Sequence, residues 1–466
     1  MPDYIIDRRD IDFVLFEQFN LAALAEHPLY GDFDRDAFDA ILDAGQKLCI
    51  EVVAPINAKA DSVGCHLSDG KVKVPETFHA VWKQFAEGGW IAPSRPTQYG
   101  GMGLPLPLAV VLAEMAIGAC QALYFFPGLN SAAGALLENF AAPFLRDTIV
   151  PRLYSGEWTG TMCLTEPQAG SSVGDLSTTA TPISGTNVYS IKGNKIFITA
   201  GDHDLTENIV HLVLARVPGD PKGTKGISLF AVPKLRFDEQ GKVIGPNDVT
   251  CTTIEEKMGI HGSPTCALGF GEHDDCQGYL IGERSHGIIY MFQMMNEARI
   301  VCGVQGVAVA NAAYQAALHY AKERLQGTRL TERSPDASPV AIIEHPDVRR
   351  NLLLCKAFAE GCRALLMRTA FYAERAERHP DASQRPQYQD MLDLLTPICK
   401  AYATDVGFDV TALAMQVHGG YGYIKEYGIE QMMRDVKIAS IYEGTNGIQA
   451  LDLLGRKLRL REGLCS

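Results

Sequence analysis

The sequence predicts an α+β multidomain protein: an N-terminal α-helical domain, a middle β-barrel or sandwich domain and a C-terminal four-helix bundle. Three observations carry this expectation. Residues 1–157 place apolar side chains at helical spacing, with Gly and Pro at the breaks. Between 158 and 282, short runs rich in β-branched and aromatic residues alternate with turns. From 283 to 466 the helical period returns in long stretches.

In the first segment, residues 37–53 read as a helix ended by Pro55, followed by helices at 77–85, 108–123 and 131–140. The apolar stretch 104–129 contains Glu114, Gln121 and several prolines, so a buried helix pair is expected there rather than a membrane span. The glycines at 100, 101 and 103 have neither the Gly-x-Gly-x-x-Gly spacing nor a following Lys-Ser/Thr, which argues against a Rossmann or P-loop nucleotide site. In the middle segment, 188–192 and 195–199 flank Gly193-Asn194, the signal of a two-residue hairpin turn. Further strands are expected at 209–217, 227–232 and 266–270. Helices at 288–324, 346–378, 391–418 and 445–460 would form the antiparallel bundle, with 327–339 as an exposed polar loop.

Composition narrows the function classes. The 466 residues are 47% hydrophobic and 21% charged, which suits a globular protein with large cores. A formal net charge of −13 argues against a nucleic-acid binder. Twelve scattered cysteines without a Cys-x-x-Cys pair read as free thiols in a reducing compartment, and no metal-ligand spacing occurs. The N-terminus is too charged for a signal peptide and too acidic for a transit peptide, so a cytoplasmic protein is expected.

Several motifs carry chemistry. In 441–449, Ile-Tyr-Glu-Gly-Thr-Asn-Gly-Ile-Gln, Glu443 stands before a glycine turn that opens a helix. Such a turn can aim a carboxylate into a cleft, although a solvated end charge has the same appearance. Residues 162–172, Met-Cys-Leu-Thr-Glu-Pro-Gln-Ala-Gly-Ser-Ser, form a strand end running into a Gly-Ser loop, which suits a polar ring edge or an ordinary turn. Phe197 and Thr199 are two apart, so a strand would turn both to one face. Residues 416–423, Gln-Val-His-Gly-Gly-Tyr-Gly-Tyr, read as a helix end meeting a glycine turn. His418 there reads as structural sooner than as a base. Arg324 closes a long helix that also carries Asn296, Glu297 and Arg299; it suits a phosphate or the helix dipole.

In this order, these motifs resemble the acyl-CoA dehydrogenase family over nearly the whole chain, from the Tyr99-Gly100-Gly101-Met102-Gly103-Leu104 loop to Gly455. The resemblance implies domains at 1–157, 158–282 and 283–466, with FAD as cofactor. Met162, Leu164, Thr165, Phe197 and Thr199 would meet the flavin ring, and Ser171 the diphosphate or substrate. Arg324, Gln416, Gly419, Gly420 and Thr445 would hold the diphosphate–adenine half. Asn296 and Arg299 match positions near the CoA moiety, Gly444 a substrate contact and Glu443 the catalytic base. An acyl-CoA would be oxidised to the trans-2-enoyl-CoA, with hydride passing to flavin N5 and electrons to an electron-transfer flavoprotein. A homodimer or homotetramer is implied.

Residues 200–208, 225–230, 256–263 and 443–457 look like the 3-methylmercaptopropionyl-CoA dehydrogenase branch. Departures from the family pattern fall at Ser172, Pro346, Gly447 and the missing aromatic in 323–327, all near expected cofactor contacts. Long members of the branch continue into a further helical region, whereas this sequence stops at Ser466; its absence would expose apolar bundle surface and weaken dimerisation. Two alternatives stay open. An acyl-CoA oxidase on the same fold would consume oxygen, and a non-catalytic flavoprotein or assembly partner would leave substrate unchanged.

Overall fold

Backbone proximity divides the chain into two compact units, 1–58 with 105–121 and 299–466, and 59–104 with 122–298. The computed structural model describes residues 4–31, 33–332 and 334–459. Leu460, the expected end of the last helix, and Cys465 lie outside the described residues.

The second unit is built on an eight-stranded sheet: β1 (Trp158–Cys163), β2 (Thr179–Pro182), β3 (Val188–Thr199), β4 (Asn208–Arg216), β5 (Ile227–Pro233), β6 (Val249–Ile254), β7 (Thr265–Phe270) and β8 (Gln277–Ile281). Its order is β6-β7-β3-β8-β5-β4-β1, with β2 against β3 and β4. β1 runs parallel to β4, Trp158 opposite Asn208, and β4 runs antiparallel to β5. Alternation along β4 and β5 feeds two cores: Leu212, Leu214, Leu229 and Ala231 enter one, Val213, Ala215, Phe230 and Val232 the other. Both strands are therefore buried at nearly every position and largely apolar, as expected of a strand covered on both faces. The first core is shared with Leu136, Leu137 and Leu153 from helices Gln121–Phe140 and Pro143–Ser155.

The hairpin expected at Gly193-Asn194 does not form. β3 runs unbroken through it, Gly193 opposite Phe270 and Asn194 opposite Gly269. A Cβ on Gly193 would lie 2.4 Å from Thr178 Oγ1, so this glycine serves a close crossing by the segment leading into β2. The first half of β3 pairs with β2 and β8, the second half with β7. The glycine therefore marks the point where β3 changes neighbours. A real hairpin sits inside the segment expected to be helical: His66–Ser68 pairs with Lys71–Lys73 across Asp69-Gly70, both at positive φ.

Among the helices, the expected pair 108–123 and 131–140 is divided elsewhere. Leu106–Ala119 ends at Cys120, which is extended, and Gln121–Phe140 then runs continuously with Pro127 inside it. Pro127 removes one helical N–H, but buried Leu123, Phe126 and Ala133 hold the turn by packing.

The first unit contains α1 (Leu106–Ala119), α2 (Pro346–Arg378), α3 (Arg385–His418), α4 (Ile429–Lys437) and α5 (Asn446–Gly455). Glu114 of α1 is paired inside this core with Arg363 of α2, whose Nε lies 3.0 Å from Glu114 Oε2. The helix Gly287–Glu323 contributes residues 299–323 to the first unit and 287–298 to the second. It is the one described helix long and apolar enough to cross a membrane, and 89% of its most apolar window is buried as core.

Candidate active site

In the first unit the chain leaves α4, makes a short turn at Ile438–Ser440 and reaches Glu443 and Gly444 with φ of +54° and +84°. Thr445 then caps α5, its Oγ1 accepting from Ile448 N at 3.3 Å. A left-handed conformation costs a glutamate about 1 kcal/mol or more. Here it is held from below: buried Gln449 donates through Nε2 to Glu443 O at 3.3 Å and Gly444 O at 3.0 Å. A Cβ on Gly444 would lie 2.7 Å from that nitrogen, so the clamp also requires the glycine.

The Glu443 side chain is half-buried. Loss of water pushes its carboxyl up to about 7, while Arg299 and Lys400 pull the other way. Buried Arg299 is paired with Asp452 of α5, Nη1 to Oδ2 at 3.1 Å. Lys400 of α3 is fully buried and donates to Asn446 Oδ1 at 2.8 Å. The Tyr442 hydroxyl donates to Gln305 Oε1, and burial raises both this phenol and the Cys302 thiol. The result is a carboxyl with proton affinity near neutrality, as a general base working near pH 7 requires.

A second cluster of the first unit lies where α3 ends. Gly419, at φ +61°, and Gly420 have no atom within 4 Å of an added Cβ, so their backbone stands open. Gln416 is exposed, and the Arg324 guanidinium lies 5.3 Å from the Tyr421 ring centre beside the same turn. A guanidinium next to bare glycine backbone suits a diphosphate. His418 is structural: its Nδ1 donates to Ala414 O at 2.8 Å, it stacks on Tyr320 at 4.4 Å, and burial lowers its pKa.

In the second unit, the end of β1 and the end of β3 lie side by side, Ile196 N donating to Thr165 O at 2.9 Å. The register between β3 and β7 slips between Cys266 and Leu268, a bulge that holds Phe197 at φ +58° and 58% exposed. Such a φ is rare for an aromatic residue and leaves its ring presented rather than packed. Thr165, Thr199 and Met162 are half-buried nearby in sequence and strand register, and Leu164 is buried. An exposed ring with hydroxyls on neighbouring strand ends fits a flat heterocycle. Beneath them, Lys195 donates to Leu164 O at 3.0 Å and Glu166 Oε1 at 2.8 Å. Ser171 lies on the exposed loop that follows, and Asn296 is half-buried on its helix.

The structure thus gathers Arg299, Glu443, Gly444 and Thr445 into one cluster of the first unit, and Arg324, Gln416, Gly419 and Gly420 into another. It gathers Met162, Leu164, Thr165, Phe197 and Thr199 along adjacent strand ends of the second. The presented aromatic and the open glycine cradle fit the ring and the diphosphate of FAD, each within its own unit. Sequence reasoning missed Lys195, Lys400, Gln449 and Asp452. For Lys400, Gln449 and Asp452 the one signal is a polar residue inside an apolar run, as in Ile398-Cys399-Lys400-Ala401; Lys195, after Gly193-Asn194, has not even that.

Family models for the N-terminal, middle and C-terminal domains of acyl-CoA dehydrogenase match residues 36–157, 161–272 and 285–458. A butyryl-CoA dehydrogenase of Syntrophomonas wolfei is 41% identical over 99% of this chain and 77% of its own. A 3-methylmercaptopropionyl-CoA dehydrogenase of Ruegeria pomeroyi is 42% identical over 98% of this chain and 76% of its own. Among solved structures, an acyl-CoA dehydrogenase of Bacillus anthracis complexed with FAD superimposes with a TM-score of 0.74 at 24% identity, covering 93% of this chain and 68% of its own.

Proposed function

This chain belongs to the acyl-CoA dehydrogenase family, an FAD-dependent class of oxidoreductases, and we propose that Glu443 is the base of its reaction. The observation that carries this reading is the clamped, left-handed Glu443, half-buried with a carboxyl near pH 7. Its carboxylate removes the α-proton of the acyl-CoA thioester. The Glu443 N–H donates to the thioester carbonyl, stabilising the enolate character that develops there. Buried Arg299 and Lys400 keep enough of the carboxyl ionised for this work at neutral pH. Bound FAD supplies the acceptor for the hydride that leaves the β-carbon. Within the first unit, Arg324 and the Gly419–Gly420 backbone would bind a diphosphate; within the second, Thr165, Phe197 and Thr199 would orient a flavin ring. Gly444 contacts the substrate. An electron-transfer flavoprotein receives the electrons, and the working form is a homodimer or homotetramer.

The names of the two relatives suggest short acyl groups for the first trials, butyryl-CoA and 3-methylmercaptopropionyl-CoA. Anaerobic titration of the yellow protein with each should bleach the flavin absorbance. A flavin that no acyl-CoA reduces would sink the dehydrogenase reading for this chain and favour the non-catalytic one.

A further inference from the structure

Lys400 is a fully buried cation in the middle of α3, next to buried Cys399. A buried ammonium without a counter-charge is costly. Its hydrogen-bond partner is the neutral Asn446 side chain, 2.8 Å away, and no carboxylate among the described residues lies within ion-pair reach. Burial lowers its pKa, while Cys302, Glu443 and Asp405 favour its charge and Arg299 opposes it. Asn446 is pinned in turn: its Nδ2 donates to Ala401 O at 3.1 Å, Thr404 Oγ1 at 3.1 Å and Asp405 Oδ1 at 2.8 Å. Asn446 opens α5, three residues after Glu443.

We propose that Lys400 is a positioning residue for the Glu443 chemistry: through Asn446 it fastens the Glu443 turn to α3, and from beyond ion-pair distance its buried ammonium favours the Glu443 carboxylate through space. The inference rests on Glu443 being the base. The groups facing that carboxylate are Arg299 and Cys302 from Gly287–Glu323, Lys400 from α3 and Tyr442 from the turn; Asp452 of α5 is paired with Arg299 through one oxygen and Arg456 through the other. Removing Lys400 leaves one cation of two, so the carboxyl keeps its proton to higher pH. Because the base works deprotonated, the acid limb of kcat/KM moves upward, by about one pH unit or more.

The test uses the FAD-loaded full chain, with dye-coupled acyl-CoA oxidation followed from acid to alkaline pH. Lys400→Met should displace the acid limb upward and lower kcat at neutral pH more than it changes KM. Lys400→Arg, which keeps the charge, should return the limb toward its original place. An unmoved limb in a flavin-loaded Lys400→Met protein overturns the proposal. If that variant does not fold, Lys400→Gln is read in the same way, since it keeps an amide donor for Asn446 and removes the charge. Glu443→Gln run alongside separates the two possible failures. Turnover close to the unsubstituted protein in Glu443→Gln overturns the base reading itself. Lost turnover there, with an unmoved limb in Lys400→Met, overturns the role of Lys400 alone.

Discussion

Glu443 in the first unit and Glu166 in the second are the same residue type near a buried lysine, and they end in opposite states. Burial alone would raise Glu166, but Lys195 and the Ser177 and Thr178 hydroxyls hold it well below the usual carboxylate range. Both its oxygens are engaged: Oε1 accepts from Lys195 Nζ at 2.8 Å and Thr178 Oγ1 at 2.6 Å, Oε2 from Ser177 N at 2.6 Å and Ser177 Oγ at 2.7 Å. Burial raises Glu443 too, and there it wins, because Arg299 and Lys400 act on it through space. Arg299 is bonded to Asp452 and Lys400 to Asn446. A carboxylate whose lone pairs are all taken is a structural part. One left with cations nearby but donors occupied elsewhere keeps a usable proton affinity.

The comparison can be broken from either side. The largest expected effect is that of Glu443→Gln, which should retain FAD yet lose dehydrogenation by about 10²–10⁴-fold, read by steady-state turnover. Lys195→Met should act on folding instead, costing about 3–5 kcal/mol by leaving Glu166 charged and unpaired, read by chemical denaturation. Replacing Glu166 by Leu in the same protein should recover part of that loss; no recovery would mean that the cost does not come from an orphaned charge.

The pH dependence of the two sites should also separate. Activity needs the Glu443 carboxylate, so kcat/KM should rise with pH through a midpoint about 7. The raised Glu443 pKa works against stability as pH climbs from its ordinary 4.5 toward about 7, where the unfolded chain ionises more readily than the fold. The depressed Glu166 pKa gives stability that is present above the ordinary 4.5 and is lost as pH falls below it. Melting curves across pH should therefore be steepest in acid, well below the activity midpoint. The smallest effect is expected from Gln449→Ala, which frees the Glu443 and Gly444 carbonyls. About a tenfold drop in kcat with little change in melting temperature would match the loss of one net hydrogen bond's worth of positioning.

The legibility of the chain followed the range of the forces involved. The helix Gly287–Glu323 and β5 lie within a residue or so of where apolar spacing puts them. Glu443 was legible because a Glu-Gly-Thr-Asn-Gly turn is a local signal, but its positive φ was not, since glutamate disfavours that region and the Gln449 clamp holds it there. Gly193-Asn194 misled for the same reason: the dipeptide favours a turn, but pairing on both halves of β3 and the crossing at Thr178 outweigh it. Asp69-Gly70 carried the same signal and does form a hairpin, unrecognised in a segment read as helical. Cys120 against Pro127 is the third case, where tertiary packing chose the helix break over proline's intrinsic preference.

By itself, the sequence determined the order of helical and β-rich segments and the turn that bears Glu443, since each depends on residues within a few positions of one another. Tertiary structure alone decided which distant residues meet. It put residues 105–121 with the C-terminal helices, where Glu114 finds Arg363, and it set Lys400 beside a turn more than forty residues later in the chain. Those meetings are chosen by the packing of whole helix faces and by the cost of leaving a buried charge alone, and neither quantity exists until the chain has closed on itself.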